Sequence, residues 1–129
     1  MITLMDAIQA LKPGAECSIQ GNDYDRIEWL DKSQTKPTEE DVVRKVAELK
    51  YMDEINQYQR DRLAAYPSAG DQFDRIFHDG VEAWRGDIQG IKNVYPRKYP
   101  DPVEMKARGD KAVEDLKSSY ITKKILCHT

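Results

Sequence analysis

The pair Pro67-Ser68 constrains this chain more than any other feature, because it stops one long helix and starts another within three residues. Pro67 has no backbone N–H and biases Tyr66 out of the helical region, so the incoming helix must end near Ala65. Ser68 can then accept a bond from an orphan N–H one turn in. Asp71, at the third helical position, complements the positive end of the helix and can bond back to the Ser68 N–H. Such a corner fixes topology and carries no reaction.

Upstream of the corner, Thr38-Glu39-Glu40-Asp41 is a helix start: a capping hydroxyl followed by three acids. Val42, Val46, Leu49, Ile55 and Leu63 hold a helical period from there to Ala65, roughly 40 Å of helix. Downstream, Phe73, Phe77, Trp84, Ile88 and Ile91 predict one apolar stripe, reinforced by Ile76 and Val81, on a helix from Ala69 to about Val94. Two comparable helices about a tight corner read as a helical hairpin. Gly80, Gly86 and Gly90 lie inside the second of them and each costs about 0.8–1 kcal/mol relative to Ala unless compensated. They mark either close approach of a neighbouring helix or a bend, and close packing is the reading adopted.

Thr3, with Asp6 as its capping partner, starts a short amphipathic helix through Leu4, Ile8 and Leu11 that stops at Pro13-Gly14. The runs Glu16 to Gln20 and Arg26 to Leu30 then alternate apolar and polar residues around Gly21-Asn22-Asp23-Tyr24-Asp25, which predicts a β-hairpin. A lone hairpin is marginal, so its face of Cys17, Ile19, Ile27 and Trp29 needs the first helix as cover. After Tyr95, the prolines at 96, 100 and 102 impose an extended spacer, and Asp101-Pro102 with Glu104 opens a fourth helix. That helix carries a thin stripe of Val103, Ala107, Val113 and Leu116 interrupted by Gly109. Ser119 to Leu126, with Tyr120, Ile121, Ile125 and Leu126, is β-prone and predicted to pair with the hairpin edge or with another chain.

The fold expected is therefore α+β, mostly α. A short N-terminal helix and β-hairpin pack on a long two-helix hairpin, and a C-terminal helix/strand tail follows. The body spans 1–96, and a proline-rich spacer with a docking tail spans 97–129. A length of 129 residues suits one modest core, and a charged fraction of 33% with mean hydropathy −0.76 suits exposed helices. The net charge is −3, but residues 97–129 hold 8 Lys/Arg against 5 Asp/Glu, so an acidic body carries a mildly basic tail. That bias is too small for a nucleic-acid footprint and lacks interleaved aromatics. No apolar run reaches membrane-spanning length and the first residues lack a secretory pattern, so a cytosolic site of synthesis is expected.

Chemistry-bearing combinations are sparse. Asp74 and His78 stand four apart on one helix, but no second helix offers a matching carboxylate and histidine, so a solvated pair is the simpler reading. Cys17, His78, Cys127 and His128 lack the close-paired spacing of a zinc site. There is no phosphate loop, and no apolar pocket is predicted that would perturb a carboxylate. No cofactor, no metal and no enzymatic activity are expected. Cys127, near the chain end, is either a free thiol or an intermolecular disulfide. Tyr95 and Tyr99, beside the spacer, are either interface anchors or packed on the body.

The residues also form a pattern. It runs from Thr3 to Leu11 with its Pro-Gly stop, through Ile27-Glu28-Trp29 and Lys36-Pro37-Thr38-Glu39-Glu40, to the corner Tyr66-Pro67-Ser68 with Asp71-Gln72-Phe73-Asp74. His78-Asp79-Gly80 and the close from Lys92 to Tyr95-Pro96 complete it. Over residues 1–100 this resembles a family of small tailed-bacteriophage proteins, cyanophage members included, similar to the XkdW-like group and associated with tail fibres. The resemblance implies a non-enzymatic virion component at the tail fibre or baseplate, or else a fibre assembly chaperone not retained in the particle. It implies a tail-protein partner in a hetero-oligomeric assembly, in the virion tail and in host cytoplasm during assembly, without nucleic acid or membrane. It transfers no catalytic residues. The chain departs from the pattern after Pro100, which places partner binding at Tyr95, Tyr99, Ile121, Ile125 and Leu126, with Cys127 as the possible crosslink.

Overall fold

The structure, a computed structural model, describes residues 1–127, with side chains through Ile125. Short-range capping chemistry sets most helix starts. Leu4–Leu11 (α1) opens on a reciprocal box in which Thr3 Oγ1 accepts from the Asp6 N–H and Asp6 Oδ2 accepts from the Thr3 N–H at 2.7 Å. Strand β1 (Cys17–Ile19) pairs antiparallel with β2 (Ile27–Trp29) in the register Cys17↔Trp29, Ser18↔Glu28, Ile19↔Ile27, joined through a 3-10 turn at Tyr24–Arg26. Five further helices follow: α2 (Glu39–Ile55), α3 (Gln57–Ala65), α4 (Ala69–Asp79), α5 (Val81–Val94) and α6 (Pro102–Cys127). The class is α+β and mostly helical, as the sequence implied.

The chain divides into two compact units, residues 1–52 with 100–129, and residues 53–99. This differs from a single cut near Pro96, because α6 belongs with the N-terminal elements. In the first unit, Ala7, Ile8 and Val42 are wholly buried, and Leu4, Leu11, Cys17, Tyr24, Ile27, Trp29, Val46 and Leu49 close around them. The hairpin does take its cover from α1, and α2 adds the third wall. Asn22 Oδ1 accepts from the Leu4 N–H at 2.9 Å, so the hairpin turn also satisfies an orphan donor of α1. Asp31 pins the strand exits: the Ser33 hydroxyl and the Glu16, Ser33 and Gln34 N–H groups all donate to it, which holds its carboxyl down to about 2.

In the second unit the corner forms as its residues require. Helix α3 ends at Ala65, Tyr66 is extended (φ −64°, ψ 137°), and Ser68 Oγ accepts from the Asp71 N–H at 3.1 Å. The reciprocal bond from the Asp71 carboxylate is absent among the described residues. The helical hairpin, however, is made by α4 and α5 about Gly80, with α3 against α5, and not by two uninterrupted helices about Pro67.

Both long helices expected from periodicity are broken. Asn56 (φ −82°, ψ 0°) separates α2 from α3, and the Arg60 guanidinium donates to the Asp53 carbonyl at 3.0 Å, satisfying an acceptor freed at the end of α2. The phase resets at the break, so Tyr58 is buried and Leu63, counted with the core stripe, is 75% exposed. Gly80 (φ 88°, ψ 168°) separates α4 from α5 in a conformation that L-residues avoid. Across this bend Arg75 Nε bonds Asp87 at 2.8 Å and Trp84 Nε1 donates to Gln72 at 2.9 Å. Trp84, Ile88 and Ile91 are half-buried as part of the expected stripe, whereas Phe73 and Phe77 lie outside it, 70% and 84% exposed.

Close packing at Gly86 and Gly90 is not what the structure shows. A Cβ at either position meets nothing within 4 Å, and the bend is at Gly80 instead. Converting both to alanine should therefore raise the unfolding free energy of the second unit by about 1–2 kcal/mol, from helix propensity alone. Urea titration read by Trp84 fluorescence checks this, and a loss of stability would restore the packing interpretation. Close approach does occur at Gly109, buried on α6, where a Cβ would stand 2.9 Å from Arg44 Cγ.

Candidate functional site

Helix α6 is the element on which most of the candidate docking residues lie, and its attachment to the first unit is built from both ends. At its start, Asp101 Oδ1 accepts from the Val103 N–H at 2.9 Å and the Asp101 N–H donates to Tyr51 Oη at 2.8 Å. Tyr51 is itself buried, with the Arg108 guanidinium 5.3 Å from its ring centre. Met105, Gly109, Ala112, Val113 and Leu116 recur at helical spacing as the buried or half-buried seam of α6. Charged contacts to α2 flank that seam: Arg44 with Asp110 at 2.5 Å, Lys117 with Glu40 at 3.6 Å, and Tyr120 Oη donating to Glu39. The Glu39 contact pushes the Tyr120 phenol up to about 12.

These contacts run antiparallel: Asp101, just before α6, and residues 108, 110, 117 and 120 of α6 meet residues 51, 44, 40 and 39 of α2. Glu39 is the first residue of α2, so α6 outlasts its support beyond Tyr120. The remainder, Ile121 to Cys127, is an overhang of roughly 10 Å at the helical rise. It is helical, and the β-prone segment read from its isoleucines is corrected. A helix already nucleated at Pro102 and held by α2 extends at one backbone bond per residue, which outweighs a modest strand preference.

On the helical wheel Ile121 and Ile125 lie opposite the seam, at i and i+4, and they are 62% and 59% exposed. Lys124 flanks them on one side and Lys123 lies on the opposite side of the helix, both exposed. Leu126 and the Cys127 thiol, expected as contact and crosslink, fall outside the described side chains, as does His128.

The spacer tyrosines separate into two roles. Tyr95 is half-buried at the end of α5, its carbonyl accepting from Arg62 Nε at 2.8 Å, beside a recess of about 140 Å³ shared with Tyr58 and Pro96. Tyr99 is 70% exposed with the Arg97 guanidinium 4.9 Å from its ring centre. Periodicity could not reveal one further surface: the Phe73/Phe77 face of α4, with Asp74 on one flank, all exposed. Its phenylalanines share the helical period of the half-buried Trp84, Ile88 and Ile91.

Sites with reaction chemistry are sparse among the described residues. No three of His, Cys, Asp or Glu come together as a metal-binding group. His78 instead meets the Phe77 ring edge-on at 5.2 Å. Cys17 is half-buried beside Met5 Sδ at 3.9 Å, and burial pushes its thiol pKa up, away from the reactive thiolate. An open apolar cleft of about 290 Å³ lies among α1, α2 and α6, with Lys50 and Asp115 as its ionisable lining groups. No helix among the described residues is long and apolar enough to cross a membrane.

No family model matches the chain, and no curated protein or solved structure matches it.

Proposed function

We propose that this protein is a non-enzymatic structural component of a phage tail, attached at the tail fibre or baseplate and joined to its neighbours through protein contacts. The observation that carries the reading is the overhang of α6. A helix braced along α2 by a buried seam and ion pairs continues past its support and presents Ile121 and Ile125 to solvent with Lys124 at their margin. Exposed aliphatic pairs at i and i+4 are the anchors with which a helix enters a groove on a partner. Tyr99, exposed on the spacer, adds an aromatic contact of the type enriched at interfaces. The phage assignment rests on the resemblance of residues 1–100 to tail-fibre-associated proteins.

Co-expression with the fibre protein, with and without residues 121–129, tests the reading. The shorter chain keeps Val113 and Tyr120 in place, so its fold is expected to persist while co-purification falls at least about tenfold, the loss of roughly 1.4 kcal/mol or more. Equal recovery of partner by both chains would sink the tail as the contact. Mass spectrometry of purified particles separates component from chaperone: a fixed ratio to the fibre protein supports the component, and absence from the particle supports a transient helper.

A further inference from the structure

The spacer that closes the second unit holds two adjacent basic residues, Arg97-Lys98, in a stretch without secondary structure. Its ends are fixed and its middle is free. The Tyr95 carbonyl accepts from Arg62 Nε and the Asp101 N–H donates to Tyr51 Oη, each within its own unit. Between them, the backbone from 96 to 100 makes no hydrogen bond among the described residues. Pro96 and Pro100 keep the stretch extended, and the Arg97 guanidinium 4.9 Å from the Tyr99 ring centre fits that geometry, because residues two apart share a side of an extended chain. Lys98 is exposed at the edge of the Tyr58 and Asp61 recess, and neither basic residue makes an ion pair among the described residues.

An exposed, extended chain with unpaired backbone groups is what an endoprotease binds, and a basic side chain is what a trypsin-like specificity pocket takes. Every other Lys or Arg fails one of these conditions. The basic residues from 44 to 92 and from 106 to 124 lie in helices, which must open locally before a protease can seat them. Lys12 and Lys36 are each followed by proline, and a bond to a proline ring nitrogen resists trypsin-like cleavage. Arg26 leads directly into the β-hairpin, where Ile27 pairs with Ile19. Lys32 sits in a turn closed by the Ser33 and Gln34 N–H groups on the Asp31 carboxylate.

We propose that Arg97-Lys98 is a processing site for a trypsin-like endoprotease, hydrolysed at the Lys98–Tyr99 bond, and that α6 stays seated on α2 after the cut. The protease serine attacks the Lys98 carbonyl carbon, the Tyr99 nitrogen leaves with a proton as an amine, and water then frees Lys98 as a carboxylate. One water is consumed per cut. The piece 99–129 keeps the contacts that seat α6, with Val113 buried in the seam, Asp110 on Arg44 and Lys117 on Glu40. Cleavage thus replaces a covalent connection by packing and charge, which salt and dilution can then undo.

Limited trypsin digestion of the native full chain tests this. Intact-mass spectrometry is expected to show 1–98 and 99–129 as the first products, and gel filtration without denaturant to carry both in one peak. The double variant Arg97→Gln with Lys98→Gln, changed at exposed positions outside any helix, should keep wild-type circular dichroism. Its first cut should be at least about tenfold slower, since the sites that remain require folded structure to open. A first cut at Lys32, Lys123 or Lys124 overturns the site, as does a double variant digested as fast as wild type. Fragments that part on gel filtration overturn the seating of α6. The phage-tail reading stands or falls separately, on co-purification with the fibre protein.

Discussion

Ile8→Ala is expected to destabilise the first unit by about 2–5 kcal/mol, the cost of truncating a fully buried aliphatic side chain. The effect is large for this chain because, among the described residues, Ile8 and Val42 are the only large side chains wholly buried. Ile8 also stands where α1, the hairpin and α2 meet, so its loss loosens the cover on Ile27 and Trp29 as well as on Val42. Domains of this size have about 5–15 kcal/mol in total, and such a loss removes a large share.

The chain has a built-in reporter for the experiment. Of its two tryptophans, Trp29 lies in the first unit with Nε1 donating to the Gln34 carbonyl at 2.9 Å, and Trp84 lies in the second. In a Trp84→Phe background, urea unfolding followed by Trp29 emission should show the midpoint falling sharply for Ile8→Ala and much less for Ile8→Val. A midpoint unchanged by Ile8→Ala would mean that α1 is not the cover of the hairpin.

Gly80→Ala is expected to cost the second unit about 1–3 kcal/mol, the usual penalty for holding an L-residue in a sparsely populated backbone region. At φ 88° and ψ 168° the glycine occupies a region open almost only to residues without Cβ, although the space around it is empty. The cost therefore comes from the backbone and not from a clash. Alanine relieves it by entering the helical region, which joins α4 and α5 into one rod and pulls Arg75 from Asp87 and Gln72 from Trp84. In a Trp29→Phe background, Trp84 emission should shift and the unfolding midpoint fall, while far-ultraviolet helicity holds or rises. Gly86→Ala, six residues on within α5, has the opposite expected sign. If both substitutions stabilise, the bend at Gly80 contributes nothing to the fold.

The candidate site was only partly legible. Tyr99, Ile121 and Ile125 are exposed, and their apolar character in a polar context was the readable signal. Tyr95 reads the same way in sequence, yet its backbone is held by Arg62, a contact 33 residues away that no local pattern encodes. Phe73 and Phe77 show the converse. They share a helical period with Trp84 and Ile88, and periodicity through a glycine assumes an unbroken helix. Once Gly80 bends the chain, the two halves no longer share a face, and the phenylalanines become surface.

What the sequence determined by itself is whatever is settled within three or four residues. The Thr3–Asp6 box, the Pro67 stop with the Ser68 cap, the turn at Gly21 to Asp25 and the Asp101-Pro102 start belong to this class, because each satisfies its own hydrogen bonds locally. The tertiary structure decided which side of each helix is buried, where Asn56 and Gly80 interrupt them, and that Ser119 to Cys127 is helix and not strand. Those outcomes depend on what packs alongside. Helix α2, 66 residues before its Asp110 partner, braces α6 and lets a β-prone end remain helical, and this balance between propensity and long-range burial has no local signature.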